Sequence, residues 1–166
     1  MPNLQGKSVL RIFAGTVLLA LSCASMTLLA PAQASAASCF GNYCSGKDPK
    51  QTRCGEDGIT VASAQIPGTE GPIGILELRW SRKCQANWAR VTAYPTGARC
   101  FPPGSISAIQ DTGYKVRGFV PIRCAISQPV TYWSPMIYSP KHKVRAQYCK
   151  IDRCGGWGEY YSTGWR

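Results

Sequence analysis

The sequence has one histidine and only 8 acidic residues, against 19 lysines and arginines among 166 residues. The histidine, His142, lies between two lysines, and no nucleophile or orienting partner is evident around it. The acids are spread along the chain, so the paired carboxylates of sugar hydrolysis are not indicated. We therefore predict that the protein is not an enzyme and has no catalytic residues.

Metal-binding motifs are also lacking. A single histidine and the absence of any Cys-x2-Cys pair argue against a zinc site. Three acids near the first cysteines, Asp48, Glu56 and Asp57, could hold calcium, but they lack EF-hand spacing, and adjacent acids are common near turns. We predict no metal and no cofactor.

The long apolar run of the sequence lies near the N-terminus. Lys7 and Arg11 precede an uncharged segment, and the sequence AQA that ends at Ala34 has the small-x-small form that signal peptidase accepts. We predict a signal peptide over residues 1–34, with a second possible cut after Ala37. The alternative is an uncleaved anchor, because the run nearly reaches the ~20 residues that span a bilayer. The cleavage site favours removal, so we expect no stable membrane span in the mature chain.

Eight of the nine cysteines remain after this cleavage, and an even number in an exported chain indicates disulfides. They are Cys39, Cys44, Cys54, Cys84, Cys100, Cys124, Cys149 and Cys154. The segment 39–54 has three of them but few apolar residues, so covalent links must substitute for a core there. We predict a short linker at 35–38 and a single disulfide-rich domain at 39–166.

No segment after the signal places apolar residues at helical spacing over three turns. The most regular segment is Gly74–Val91, where Leu76, Leu78 and Trp80 alternate with charged residues as in a half-buried strand. Within this segment a short link holding Cys84 leads to a second antiparallel strand containing Trp88, and both tryptophans are expected in the core. Further strands are predicted at 58–65, 105–110, 114–124, 130–138 and 143–151.

The 17 glycines and 12 prolines are spaced as turn residues between these strands. The predicted fold class is therefore all-β, with about six to eight short strands in a small antiparallel sandwich or barrel. The glycine-rich tail from Gly155, with its tryptophans and tyrosines, either stacks on sugars or forms a last strand over the core. We favour the strand.

Candidate binding residues are basic. Loss of Lys7 and Arg11 leaves 17 lysines and arginines against 8 acids, a net charge of +9. Arg79 and Arg90 could hold an anion on the polar face of the hairpin, although a cross-strand ion-pair ladder with Glu77 explains them more simply. A second basic cluster contains Lys141, Lys143 and Arg145. The excess of positive charge serves either solubility or the binding of anionic polymers outside the cell.

Several motifs resemble a bacterial family known as domain of unknown function 2690. They are Cys39-x-Gly41-x2-Cys44-x-Gly46-x-Asp48-Pro49, then Glu77-Leu78-Arg79-Trp80-Ser81-x2-Cys84-x-Ala86-x-Trp88-Ala89-Arg90, then Ser134-Pro135-Met136 and Val144-Arg145-Ala146. Members are exported or carried on the outer side of membrane proteins, mainly in Gram-positive bacteria. The family has no established activity, so the resemblance implies compartment and fold.

The chain departs from this family at its cysteines. Gln147 stands where a cysteine is usual, and Cys149, two residues later, would lie on the same strand face. Cys100 and Cys124 are extra and are expected to pair with each other. The resemblance then implies two bonds among Cys39, Cys44, Cys54 and Cys84, and one from Cys149 to Cys154. A bond from either of the last two to the N-terminal loop is an alternative.

Together these observations predict an exported, non-catalytic β domain, secreted or associated with the cell envelope through its basic surface. Its expected partner is an anionic cell-wall polymer or another envelope protein, and no specific nucleic acid is expected. The alternative is a secreted interaction protein, such as an inhibitor or small effector. An extracellular enzyme is the least favoured reading.

Overall fold

The computed structural model describes residues 37–95, 97–150 and 159–166. The predicted signal peptide at 1–34, part of the predicted linker and Cys154 lie outside the described residues. None of the described ranges contains a helix long and apolar enough to cross a membrane.

The described chain forms one short 3-10 helix, η1, and eleven β-strands. Their bounds are η1 Gly41–Cys44, β1 Ile59–Gly68, β2 Gly71–Ser81, β3 Ala86–Ala93, β4 Cys100–Phe101, β5 Gly104–Gln110, β6 Lys115–Val120, β7 Arg123–Cys124, β8 Val130–Trp133, β9 Ile137–Tyr138, β10 Val144–Lys150 and β11 Tyr160–Ser162. The all-β prediction is confirmed, with more strands than the six to eight expected.

The strands form two main sheets, and all of their described pairings are antiparallel. The first sheet has the order β1-β2-β3-β8, and β9 also pairs with β3. The second has the order β11-β10-β5-β6, and β4 pairs with β7 as a separate ribbon. The hairpin β2–β3 lies where Gly74–Val91 predicts it.

A shared core joins the two sheets into a sandwich. Leu76, Leu78 and Val91 contribute from the first sheet, and Ile106 and Tyr148 from the second, all fully buried in one cluster. Burial of each such side chain contributes roughly 1.5–3 kcal/mol. Alternate residues of β2 and β10 face this core, as the period-2 pattern requires.

A second, smaller core lies outside the sandwich. Trp88 and Met136 pack there with the cysteines of the N-terminal loop. Consequently β3 is buried on both faces, which is unusual for an antiparallel strand beside solvent. Trp88 is in a core, as predicted.

The described disulfides follow the predicted grouping. Cys39 bonds to Cys44, Cys54 to Cys84, and Cys100 to Cys124. The Cys54–Cys84 bond fixes the N-terminal loop against the link between β2 and β3. Cys149 is disulfide-bonded as well, and the prediction that it pairs with Cys154 falls outside the described residues.

Two details of the predicted strands, the unbroken segment 130–138 and the core position of Trp80, are wrong, and one expected interruption is confirmed. The segment 130–138 is two strands, because Ser134 and Pro135 interrupt it. In the segment 114–124, Pro121 is expected to limit the strand to an edge or a bend, and β6 does end its pairing at Val120 and lies at the edge of its sheet. Trp80 is half-buried rather than in either core cluster, and it lines a surface cavity near the end of the sheet.

Candidate functional site

The outer face of the first sheet places charged and aromatic side chains in two adjacent rows. The strand register aligns Thr60, Arg79 and Trp88 in one row, and Glu77, Arg90 and Trp133 in the next. Neighbouring strands are about 4.8 Å apart, so each side chain in a row is within reach of the next. The sequence alternation that buries Leu76 and Leu78 is what directs these residues outward.

Glu77 and Arg90 form the ion pair that a cross-strand ladder predicts. Arg90 donates from Nε to Glu77 Oε2 at 2.7 Å and from Nη2 to Oε1 at 2.8 Å. Burial alone would raise the pKa of the Glu77 carboxyl, but the hydrogen bonds from Arg90 and Thr60 and the two nearby arginine charges outweigh it and lower that pKa. Glu77 is therefore a fixed anion that orients Arg90.

Arg79 is held by different partners. Its Nη1 donates to Thr60 Oγ1 at 2.6 Å, and its Nη2 donates to the carbonyl oxygen of Gly58. The Nε of Arg79 is buried and has no hydrogen-bond partner among the described residues. Burial, followed by the positive charge of Arg90, lowers the pKa of the guanidinium. Arg79 is thus the less neutralised of the two arginines.

The N-terminal loop and part of these rows line a cavity of about 540 Å³ that is open to solvent. The loop contributes Lys50 and Arg53, and the sheet contributes Arg79, Arg90 and the two tryptophans Trp88 and Trp133. The cavity therefore combines four cationic side chains and one carboxylate, that of Glu56, with two aromatic rings.

Trp133 and the loop hold each other in place at the mouth of this cavity. The indole Nε1 of Trp133 donates to Asp48 Oδ2 at 2.9 Å, and the Lys50 Nζ lies 5.7 Å from the centre of the Trp133 ring. Arg53 pairs with Glu56 at 2.7 Å, with both side chains about half exposed. Such a cavity can hold an anionic group with its cations while a ring stacks on tryptophan.

The five predicted binding residues occupy three places. Arg79 and Arg90 share the cavity just described. Lys141 and Lys143 line a separate surface cavity of about 330 Å³ beside Trp80. Arg145 lies on the second sheet, where its guanidinium carbon is 4.7 Å from the ring centre of Trp165.

Sequence reasoning missed Lys50, Arg53 and Trp133 as cavity residues. The available signal was the cysteine-rich loop itself, which has to be anchored near Cys84 and hence beside the hairpin. It also missed the partner of His142, whose Nδ1 lies 3.3 Å from Asp111 Oδ1 with both side chains about half exposed.

Fold and cavity together define a disulfide-stabilised antiparallel β-sandwich with a basic, tryptophan-lined cavity under its N-terminal loop. A family model described as "Protein of unknown function (DUF2690)" matches residues 42–148. Since this match covers more than half of the chain, the protein belongs to that family. No curated protein and no solved structure matches the chain.

Proposed function

We propose that the protein is an exported, non-catalytic binding module that associates with the cell envelope. Its ligand is an anionic cell-wall polymer, and an acidic or phosphorylated segment of that polymer enters the cavity between the N-terminal loop and the first sheet. The observation that carries this proposal is that Lys50, Arg53, Arg79 and Arg90 line one cavity with Trp88 and Trp133.

The chemistry of the cavity matches such a polymer better than a neutral ligand. Outside the cell, wall polymers are an abundant source of repeated negative charge. Arginine side chains recognise phosphate and carboxylate groups through paired N–H donors. The half-buried Trp133 supplies a flat apolar surface on which a sugar ring can stack, while Trp88 is packed in the second core behind it.

Binding rather than catalysis is supported by the state of the nearby carboxylates. Glu77 is held by Arg90, and Glu56 is held by Arg53. The lowered pKa of Glu77 keeps its carboxyl ionised, which makes it a poor proton donor. Both acids therefore neutralise and orient arginines.

Export is supported by the cysteines and by the predicted signal peptide. Disulfides persist in oxidising compartments and are rare where thiols are kept reduced. Six cysteines form the three described bonds, and Cys149 is disulfide-bonded too. A loop with so few apolar residues would lose its fold, and with it the cavity, in a reducing compartment.

The test is retention of the oxidised protein on insoluble cell wall at low and high salt. We expect retention at low salt that decreases as salt screens the charges. The double variant Lys50→Gln/Arg53→Gln should bind roughly 10- to 30-fold more weakly, because each basic residue near an anionic surface contributes roughly 1 kcal/mol.

The matched control is Arg82→Gln/Lys83→Gln, which removes the same charge from exposed positions outside the cavity. It should retain most of the binding. Absence of retention at low salt, or equal losses in the two double variants, would contradict the proposal.

A further inference from the structure

The outer face of the second sheet presents a second group of basic and aromatic side chains. The register places Lys115, Ile109 and Arg145 in one row, and Arg117, Ser107, Gln147 and Ser162 in the next. A third row contains Phe119, Ser105, Cys149 and Tyr160. These residues point away from the core because their neighbours Val116, Val144 and Tyr148 point into it.

Three cations, Lys115, Arg117 and Arg145, converge on this face. Burial, and then the positive charges of Arg117 and Arg145, lower the pKa of the Lys115 ammonium, so the three charges act on one another. None of the described residues in the three rows is acidic. The adjacent acid, Glu159, is held by Lys150 at 2.9 Å.

Exposed aromatic rings border the same face. Phe119 is 69% exposed and Tyr160 is 58% exposed, at opposite edges of the sheet. Trp165, 38% exposed, stacks against the guanidinium of Arg145. The Nε of Arg145 is buried without a hydrogen-bond partner among the described residues. The face thus offers three positive charges, with no acid in its described rows, between rings that are open to a ligand.

We propose that this face is a second binding surface, which takes an extended anionic polymer lying across strands β6, β5, β10 and β11. Lys115, Arg117 and Arg145 contact the negative groups of the polymer, and Phe119 and Tyr160 contact its apolar or ring-shaped parts. The sheet is about 14 Å wide across its four strands, which suits several repeats of a chain rather than one small ion.

A hydroxyl-rich polymer suits the middle row of this face better than a membrane or a nucleic acid does. Gln147 and Ser162, both half-buried, lie between the charged and the aromatic residues, where they can exchange hydrogen bonds with hydroxyl groups. The sugars within a DNA strand carry no free hydroxyl group, and a bilayer carries hydroxyl groups only in some of its headgroups. The occupant we infer is therefore a wall polymer with a negative charge on most of its repeats.

This surface is distinct from the cavity of the proposed function. The cavity lies on the outer face of the first sheet, and the two sheets pack against each other through their inner faces. A domain with both sites can contact two polymer segments at once, which raises overall retention above that of either site alone. The second surface can exist even where the cavity binds nothing.

The experiment measures binding of the whole oxidised protein to long-chain polyphosphate over a series of salt concentrations. The variant Lys115→Gln/Arg117→Gln changes two exposed side chains of the edge strand β6. It should bind several-fold more weakly. The plot of log association constant against log salt concentration should also be less steep by about 1.4, at about 0.7 for each lost charge contact. Phe119→Ala should weaken binding at every salt concentration without changing that slope.

The controls separate this surface from the cavity and from net charge. Arg82→Gln/Lys83→Gln has the same net charge as the β6 variant and should keep the slope of the unmodified protein. Loss of binding in Lys50→Gln/Arg53→Gln alone would assign polyphosphate to the cavity and overturn the second surface. Loss in the β6 variant alone would support the second surface and refute the cavity as the polyanion site.

Two further probes test the class of ligand. Vesicles of phosphatidylglycerol and a single-stranded oligothymidylate are each tested at the same salt concentration and at the same concentration of negative charge. Tighter binding of either probe than of purified anionic wall polymer, with the same dependence on Lys115 and Arg117, would overturn the assignment to a wall polymer. Tighter binding of the wall polymer supports it.

Discussion

Replacement of Arg90 by glutamine should destabilise the domain, because it leaves the Glu77 carboxylate buried with one partner fewer. The side chain of Glu77 is 10% exposed and that of Arg90 is 31% exposed, so the pair lies between a surface bridge and a buried one. Surface pairs contribute about 0–1 kcal/mol, and breaking a buried pair costs about 3–5 kcal/mol. We expect a loss of about 2 kcal/mol.

The predicted loss can be read from thermal denaturation of the oxidised protein. At this size, 1 kcal/mol shifts the midpoint by roughly 3–4 °C, so Arg90→Gln should lower Tm by roughly 6–8 °C. Arg53→Gln is the control, since its pair with Glu56 is about half exposed, and it should lower Tm by less than about 3 °C. Equal shifts in the two variants would show that the Glu77–Arg90 pair is not structural.

The same pair predicts a pH dependence with a definite sign. The folded-state pKa of Glu77 is below its ordinary value of 4.5. Its contribution to stability is therefore fully present above pH 4.5 and is lost as the pH falls through the lower folded-state pKa. The difference in stability between the unmodified protein and Arg90→Gln should shrink on acidification below pH 4.5. A difference that is constant or grows in this range would refute the reasoning.

Three other variants test the scaffold by thermal denaturation. Tyr148→Phe should cost about 1 kcal/mol, because it removes the 2.5 Å hydrogen bond from the buried hydroxyl to the carbonyl oxygen of Pro102; an unchanged Tm would contradict this bond. Joint replacement of Cys100 and Cys124 by alanine should cost about 3 kcal/mol, since their bond closes a loop with a sequence separation of 24. Gly104→Ala should destabilise the second sheet, because its Cβ would clash with a carbonyl oxygen of β10, and a neutral effect would refute this packing.

The alternation of side chains in Gly74–Val91 was sufficient to predict β2 and β3 and the ion pair between them. Leu76 and Leu78 face the core and Glu77 faces outward, as period 2 requires. These features depend on neighbours in sequence. For the same reason, the all-β class follows from strand pattern and turn residues.

Features that depend on distant pairing were not predictable in the same way. Trp88 shares the outward parity of Arg90, and only the loop fixed by the Cys54–Cys84 bond makes that face a second core. Trp80 has inward parity but lies near the end of its strand, where it remains half-buried. Parity gives the direction of a side chain and leaves open what covers it.

The grouping of basic residues also depended on strand order. Arg145 is close in sequence to Lys141 and Lys143, but β10 pairs with β5, and β5 pairs with β6. This order places Arg145 on the same face as Lys115 and Arg117, which are distant from it in the sequence. Sequence proximity alone does not reveal these neighbours, because strand pairing brings together residues that are distant in the sequence.

The most direct test of anion binding in the cavity is an NMR titration of the tryptophan indole N–H signals with fragments of anionic wall polymer. Trp133 lines the cavity, and its N–H donates to Asp48 at the cavity mouth, whereas Trp80 lies outside the cavity and serves as the internal control. Trp133→Phe identifies the signal. We predict that the Trp133 and Trp88 signals shift with saturation while the Trp80 signal does not. Unchanged Trp133 and Trp88 signals at fragment concentrations that saturate binding would contradict the proposed site.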